Sequence, residues 1–222
     1  MCGRFSLGGS AATLLGHFNV QESVSWIGRY NLAPSQEILT IVQPAGSARE
    51  ARRMRWGLIP SWAKDPAIGN KLINARGETV ATKPAFRHAI RERRCLILAD
   101  AFYEWEAQGR RKQPWCIRRK DGAPFAFAGL WEEWHDPEGR RVESCTIITT
   151  TATALIQRFH HRMPVILSPR DYDLWLDVGV RDPHRLLPLL APYPPDEMTA
   201  YPVSPLVNNP ANDTPACQSP AG

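Results

Sequence analysis

Short alternating and β-branched stretches, broken by glycine, proline and aspartate, dominate the pattern of apolar and polar positions. Alternation and β-branching predict strands over 37–43, 52–58, 114–118, 124–130, 143–150 and 199–203. The apolar run CLILA at 95–99 leads into an alternating stretch, FYEWE, that ends near Trp105. Turn signals fall between strands at K-D-G (120–122) and D-P-E-G (136–139). Helical spacing is brief. It predicts a helix over 10–17 with Ser10 as N-cap, one over 84–94 through Phe86 and Ile90, and short ones over 153–159, 169–177 and 183–190. Residues 30–36 (YNLAPSQ) read as a proline-containing loop, and the Asn/Pro/Ala/Asp-rich stretch from about 208 to 222 reads as an extended or frayed tail. No β-α-β rhythm recurs and no linker divides the chain. The expected fold is a single α+β domain, residues 1–222, with a β-barrel-like antiparallel sheet core flanked by short helices.

Composition narrows this picture only slightly. The 222 residues are 43% hydrophobic and 22% charged, enough for a packed core. Lys plus Arg number 27 against 22 Asp plus Glu, a net +5 that permits a polyanionic partner without requiring one. Five cysteines, at 2, 95, 116, 145 and 217, form no C-x-x-C pair, which argues against a zinc ribbon or a disulfide scaffold. No secretory signal and no apolar run of membrane-spanning length is visible, so the expected location is cytoplasmic. P-loop, dinucleotide-binding, H-E-x-x-H and G-x-S-x-G motifs are absent.

The position of one cysteine changes the reading more than the totals do. Removal of Met1 would leave Cys2 as the N-terminal residue, an amine and a thiol on adjacent carbons. The α-amine has a reference pKa of about 7.7–8.0, against about 10.4 for lysine, so a useful fraction is neutral near pH 7. Such a 1,2-aminothiol condenses with an aldehyde to a Schiff base, and the thiol closes a five-membered thiazolidine. A chance cysteine at position 2 is the competing reading. Cys95, Cys116 and Cys145 fall in apolar or alternating stretches and read as core residues, and Cys217 carries little signal.

Three other segments hold candidate partners. In LINARGETV (72–80), Asn74, Arg76 and Glu78 share one side if the segment is extended. There, an asparagine can orient a nucleophile and an arginine can take a phosphate; a polar surface loop is the alternative. In RCLILADAFYEW (94–105), Glu104 shares a face with Phe102, while Tyr103 and Trp105 face the other way. A carboxylate among aromatics in a cleft has a raised pKa suited to acid–base work; an edge glutamate turned to solvent is the alternative. In ITTTATALIQRFHHRMP (148–164) a helix stops at His160 and His161 before Pro164. One imidazole could shuttle a proton, whereas two adjacent histidines are expected to point different ways and not to share a metal. Basic and aromatic residues interleave in RRMRWGLIPSW (52–62), and RERR (91–94) and GRRK (109–112) add charge, a composition compatible with phosphate contacts and base stacking.

MCGRF, NARGET, ADAFYEW and HHRMP together closely resemble the SRAP family, the SOS-response-associated peptidase domain proteins that sense abasic sites in DNA. The resemblance extends through YNLAPSQ and MRWGLIPSW to VSPLVNNPANDTP. It implies a barrel-like α+β domain, a basic groove for single-stranded DNA, and a covalent thiazolidine link between the N-terminal cysteine and a ring-opened abasic sugar. Carried over by motif, Cys2 is the nucleophile, Asn74 orients the amine and the sugar oxygen, and Glu104 is acid–base in Schiff-base formation and in Met1 removal. His160 protonates the opening deoxyribose or acts in elimination. Arg4, Arg76 and Arg162 match phosphate-contacting positions, and Trp62 and Trp105 match aromatic positions of the DNA channel. The expected partner is single-stranded DNA with abasic sites, bound by a monomer without metal or cofactor. Two other classes stay open: an N-terminal cysteine amidohydrolase of the glutamine amidotransferase type, and a non-catalytic single-stranded DNA-binding module.

Overall fold

The fold was obtained as a computed structural model that describes residues 2–21 and 24–221. Met1, whose removal is expected, lies outside the described residues. Thirteen strands are described: β1 (Phe5–Leu7), β2 (Arg29–Leu32), β3 (Glu37–Val42), β4 (Glu50–Trp56), β5 (Asn74–Arg76), β6 (Arg94–Ala99), β7 (Ala101–Gln108), β8 (Arg111–Arg119), β9 (Phe125–His135), β10 (Arg141–Thr151), β11 (Arg162–Pro164), β12 (Ile166–Leu167) and β13 (Met198–Pro202). Four short α-helices accompany them: α1 (Ala11–His17), α2 (Ala89–Glu92), α3 (Ala154–Gln157) and α4 (Tyr172–Leu176).

Strands β10, β4, β3, β6 and β9 pair in that order, and β9 pairs back to β10, closing a five-stranded barrel. All these pairings are antiparallel except β10 with β4. Closure is possible because β9 is long. One of its edges takes β6, and the other is divided between β12 and β10. The interior is apolar and tight. A Cβ on Gly129 would sit 2.7 Å from the Cys95 sulfur, so only glycine lets β9 pass there. A second sheet, ordered β13-β8-β7-β1-β2, lies beside the barrel. Period-two alternation along β7 divides its side chains between two cores. Phe102 meets Phe127 at 6.1 Å in the main core, while Tyr103 joins Cys116, Val203, Val207 and Cys217 in a smaller cluster.

The α+β single domain with a barrel core is as expected, and Ser10 does cap α1, accepting from the Thr13 amide. Several local expectations change. Residues 30–32 of the proline-containing segment belong to β2, because β1 offers them a free edge. Residues 84–88 are turns. Only four residues are α-helical, and Arg94 belongs to a buried strand. The stretch from 208 onward does not fray. Asp213 accepts from the Arg29 side chain and from the Tyr30 and Asn31 amides, and Gln218 donates to Ser6 and Asp100 at 2.7 and 2.9 Å. Cys217 is fully buried beneath it. Among the described residues no helix is long and apolar enough to cross a membrane.

Candidate active site

Register brings the start of the chain to its partners. Phe5 pairs with Phe102 and the Tyr103 amide donates to the Arg4 carbonyl, so antiparallel continuation carries Cys2 and Gly3 alongside Glu104 and Trp105. On the far side, β5 pairs in parallel with β10, Asn74 opposite Ile147. That placement lets Asn74 Nδ2 donate to the Cys2 carbonyl at 2.8 Å, while its Oδ1 is buried with no hydrogen-bond partner. Holding the Cys2 carbonyl fixes the torsion of the residue that carries both amine and thiol.

Cys2 is fully buried, and burial pushes its thiol well above the ordinary range, helped by the negative charge of nearby Glu104. The sulfur is therefore held as the neutral thiol. Glu104 is itself only 6% exposed, and burial raises its pKa above the usual carboxylate value. The solvent-facing glutamate alternative is thereby replaced by a buried carboxyl group.

Glu104 and His160 open together into a cleft of about 570 Å³, walled also by Arg4, Trp105, Lys112, Phe159 and Asn208. His160 follows α3, and its Nδ1 accepts from the Arg162 backbone N–H at 2.9 Å. Burial is the main cause that lowers its pKa, and nearby positive charge adds to it, favouring a neutral ring. The two imidazoles do not point apart as expected. Their rings stack with centroids 4.3 Å apart, yet only His160 lines the cleft. Among the described residues no group of three or more His, Cys, Asp or Glu is arranged to hold a metal ion.

The five proposed DNA contacts are distributed unevenly. Arg4 lies over the Trp105 ring at 5.8 Å, and its Nη1 donates to Asn31 Oδ1 at 2.8 Å and to the Val207 carbonyl at 2.7 Å. The Trp105 indole donates to Asn208 Oδ1 at 2.7 Å. The supposedly frayed tail thus orients one wall of the cleft. Arg76 is exposed on β5, two residues beyond Asn74. Trp62 is 59% exposed but lies on a loop beside Lys64 and Lys71 and does not line the cleft. Arg162 already has protein partners. Its guanidinium is buried, forked onto Glu78 at 2.5 and 2.9 Å, and also donates to the Thr149 carbonyl at 2.5 Å. Glu78 reaches it because the chain leaves β5 at Gly77 in a 3-10 turn, so Asn74, Arg76 and Glu78 do not share one extended face.

Lys112, Phe159 and Asn208 were not singled out as site residues by sequence reasoning, although Lys112 ends the GRRK cluster. The β7–β8 hairpin brings it in. Gln108 pairs with Arg111 across a two-residue turn that needs the positive φ of Gly109 (+59°).

Comparison with known proteins agrees with this geometry. The chain is 47% identical over 219 residues to the abasic site processing protein YoqW of Bacillus subtilis, covering 97% of each. It is 36% identical over 199 residues to the abasic site processing protein HMCES of Rattus norvegicus, covering 76% of this chain and 56% of that one. A crystal structure of a protein from Bacteroides thetaiotaomicron superposes with a TM-score of 0.91 at 26% identity, over 99% of this chain and 100% of that one. The profile described as SOS response associated peptidase (SRAP) matches residues 1–210, and the chain belongs to that family.

Proposed function

We propose that this protein processes abasic sites in single-stranded DNA by covalent capture at Cys2, once Met1 has been removed. The observation that carries the reading is that the buried Glu104 lines one cleft with a neutral His160 and lies beside the carbonyl-anchored Cys2. Relatives named as abasic site processing proteins support it, as does the pairing of Arg4 with Trp105 on the cleft wall.

The chemistry follows from which groups are charged. The closed sugar of an abasic site is a hemiacetal. As its C1′–O4′ bond breaks, His160 gives its Nε2 proton to O4′, and the C1′ hydroxyl proton passes to the Glu104 carboxylate. The aldehyde so formed meets the neutral α-amine, which the unpartnered Asn74 Oδ1 is placed to orient. Attack gives a carbinolamine. Glu104 returns a proton to its hydroxyl, one water leaves, and the resulting iminium gives its N–H proton back to His160, leaving the imine. The buried thiol is not ionised in advance, so the amine acts first. Sγ then adds to C1′, its proton ends on nitrogen, and the thiazolidine closes. Proximity supplies most of the acceleration, because both nucleophiles sit on one residue.

Glu104, which lies beside Cys2, also serves as the base in hydrolysis of the Met1–Cys2 bond. The test is incubation of the processed protein with a single-stranded oligonucleotide carrying one abasic site, followed by a denaturing gel. A shifted band that disappears in Cys2→Ala supports capture. Binding without a shifted band would reduce the protein to a DNA-binding module.

A further inference from the structure

Arg162 has two attachments that the proposed chemistry leaves unexplained. Its backbone N–H is bonded to His160 Nδ1 at 2.9 Å, and its side chain is forked onto Glu78 at 2.5 and 2.9 Å. Thr149 adds acceptors to the same guanidinium through its carbonyl at 2.5 Å and its hydroxyl at 3.3 Å. Thr151 pairs with Arg162 across β10 and β11, so backbone and side chain are both tied down. Glu78 comes from the turn directly after β5, the strand that carries Asn74. The ion pair therefore joins the segment holding Cys2 to the segment holding His160.

A ring nitrogen that accepts an N–H cannot carry a proton. With Nδ1 engaged by Arg162, the proton of the neutral imidazole belongs on Nε2. We propose that Glu78 is a positioning residue: its clamp on Arg162 holds the Arg162 amide against His160 and keeps the imidazole proton on Nε2, available to the cleft. This rests on the reading of His160 as the proton donor in ring opening. Glu78 suits such a role. Its carboxylate is half exposed, and its hydrogen bond to Arg162 lowers its pKa, so it stays charged throughout the working pH range. The charged and titratable groups around His160 are the stacked His161, Arg162, and, on the cleft walls, Glu104, Arg4 and Lys112.

The test compares wild type with Glu78→Ala, Glu78→Gln and Arg162→Lys, using nitrogen-15 NMR of His160 without DNA. Affinity for an intact single-stranded oligonucleotide across a salt series, and crosslinking rate at saturating abasic DNA, complete the set. The expected wild-type spectrum is a single neutral tautomer protonated on Nε2. Glu78→Ala is expected to give mixed tautomers and a saturating rate about tenfold lower, with partial recovery in Glu78→Gln. Arg162→Lys, which cannot make the forked pair with Glu78, is expected to show the same mixed tautomers. An unchanged tautomer and rate in Glu78→Ala would overturn the proposal. So would tighter DNA binding at an unchanged saturating rate in Glu78→Ala, because Glu78 would then act only by masking a positive charge. If Glu78→Ala fails to fold, Glu78→Gln carries the same readouts with a smaller expected change. Absence of crosslinking in the wild type would refute the capture reading alone, since the tautomer is read without DNA.

Discussion

Asn74→Ala removes the donor that holds the Cys2 carbonyl at 2.8 Å and leaves that oxygen in a buried residue without it. A lost intramolecular hydrogen bond costs roughly 0.5–1.5 kcal/mol, and an unsatisfied buried acceptor about 1–3 kcal/mol. The bond orients the residue that bears both nucleophilic atoms, so the loss should fall on the crosslinking barrier. A loss of about 2 kcal/mol corresponds to a rate roughly 30-fold lower, at about 1.4 kcal/mol per decade. Asn74→Asp should be slower still, because it sets a carboxylate oxygen against the carbonyl oxygen. The assay is single-turnover crosslinking with protein in excess over abasic oligonucleotide, quenched at intervals and resolved on a denaturing gel. Circular dichroism melting confirms that each variant is folded. Rates within twofold of wild type in both folded variants would refute the reasoning, since the held carbonyl would then have no part in orienting the nucleophile.

Burial raises the Glu104 pKa, so the acid limb of the crosslinking pH profile should lie above the pH at which a free carboxylate titrates, and Glu104→Gln should flatten that limb while lowering the rate; stopped time courses across pH check this. Arg94 is buried with its guanidinium donating to the carbonyls of Ile90, Arg91, Trp175 and Asp177, and burial lowers its pKa to about 10. Arg94→Ala should cost at least about 3 kcal/mol, because several buried acceptors lose their donor, and urea unfolding measures it. Asp213→Ala should loosen the 208–221 segment from β2, free Arg4 and Trp105 from their tail contacts, and weaken single-stranded DNA binding several-fold with little loss of fold; fluorescence anisotropy reads the affinity.

Much of the architecture was legible because strand residues alternate. The division of Phe102 and Glu104 from Tyr103 and Trp105 followed from period two alone. Barrel closure was not legible, since it depends on β9 sharing one edge between β12 and β10, a long-range fact with no local signature. The same limit explains residues 29–32 and the 208–221 segment. Each reads as irregular by composition, and each is ordered by the other through Asn31 and Asp213. Within the site, Cys2, Asn74, Glu104 and His160 were singled out from motif chemistry; Glu104 and His160 line the cleft, and Cys2, held by Asn74, lies beside Glu104. The pairing of Arg162 was not legible either. An arginine in a polar motif reads as a phosphate ligand unless its acceptor is known, and that acceptor, Glu78, is 84 residues away. Lys112 and Asn208 were hidden because a hairpin turn and a docked tail, not their own neighbours in sequence, deliver them to the cleft.

The central claim is that the chain's second residue is the covalent attachment point for an abasic sugar. Its most direct test is intact-mass analysis of the protein after reaction with a single-stranded oligonucleotide carrying one abasic site, followed by proteolysis to map the adduct. The expected mass is that of the Met1-less protein plus the oligonucleotide minus one water, because imine formation releases water and ring closure releases nothing. The adduct should map to the peptide beginning at Cys2 and be absent from Cys2→Ala. An adduct on another residue, an equal yield in Cys2→Ala, or only unmodified protein would contradict the account.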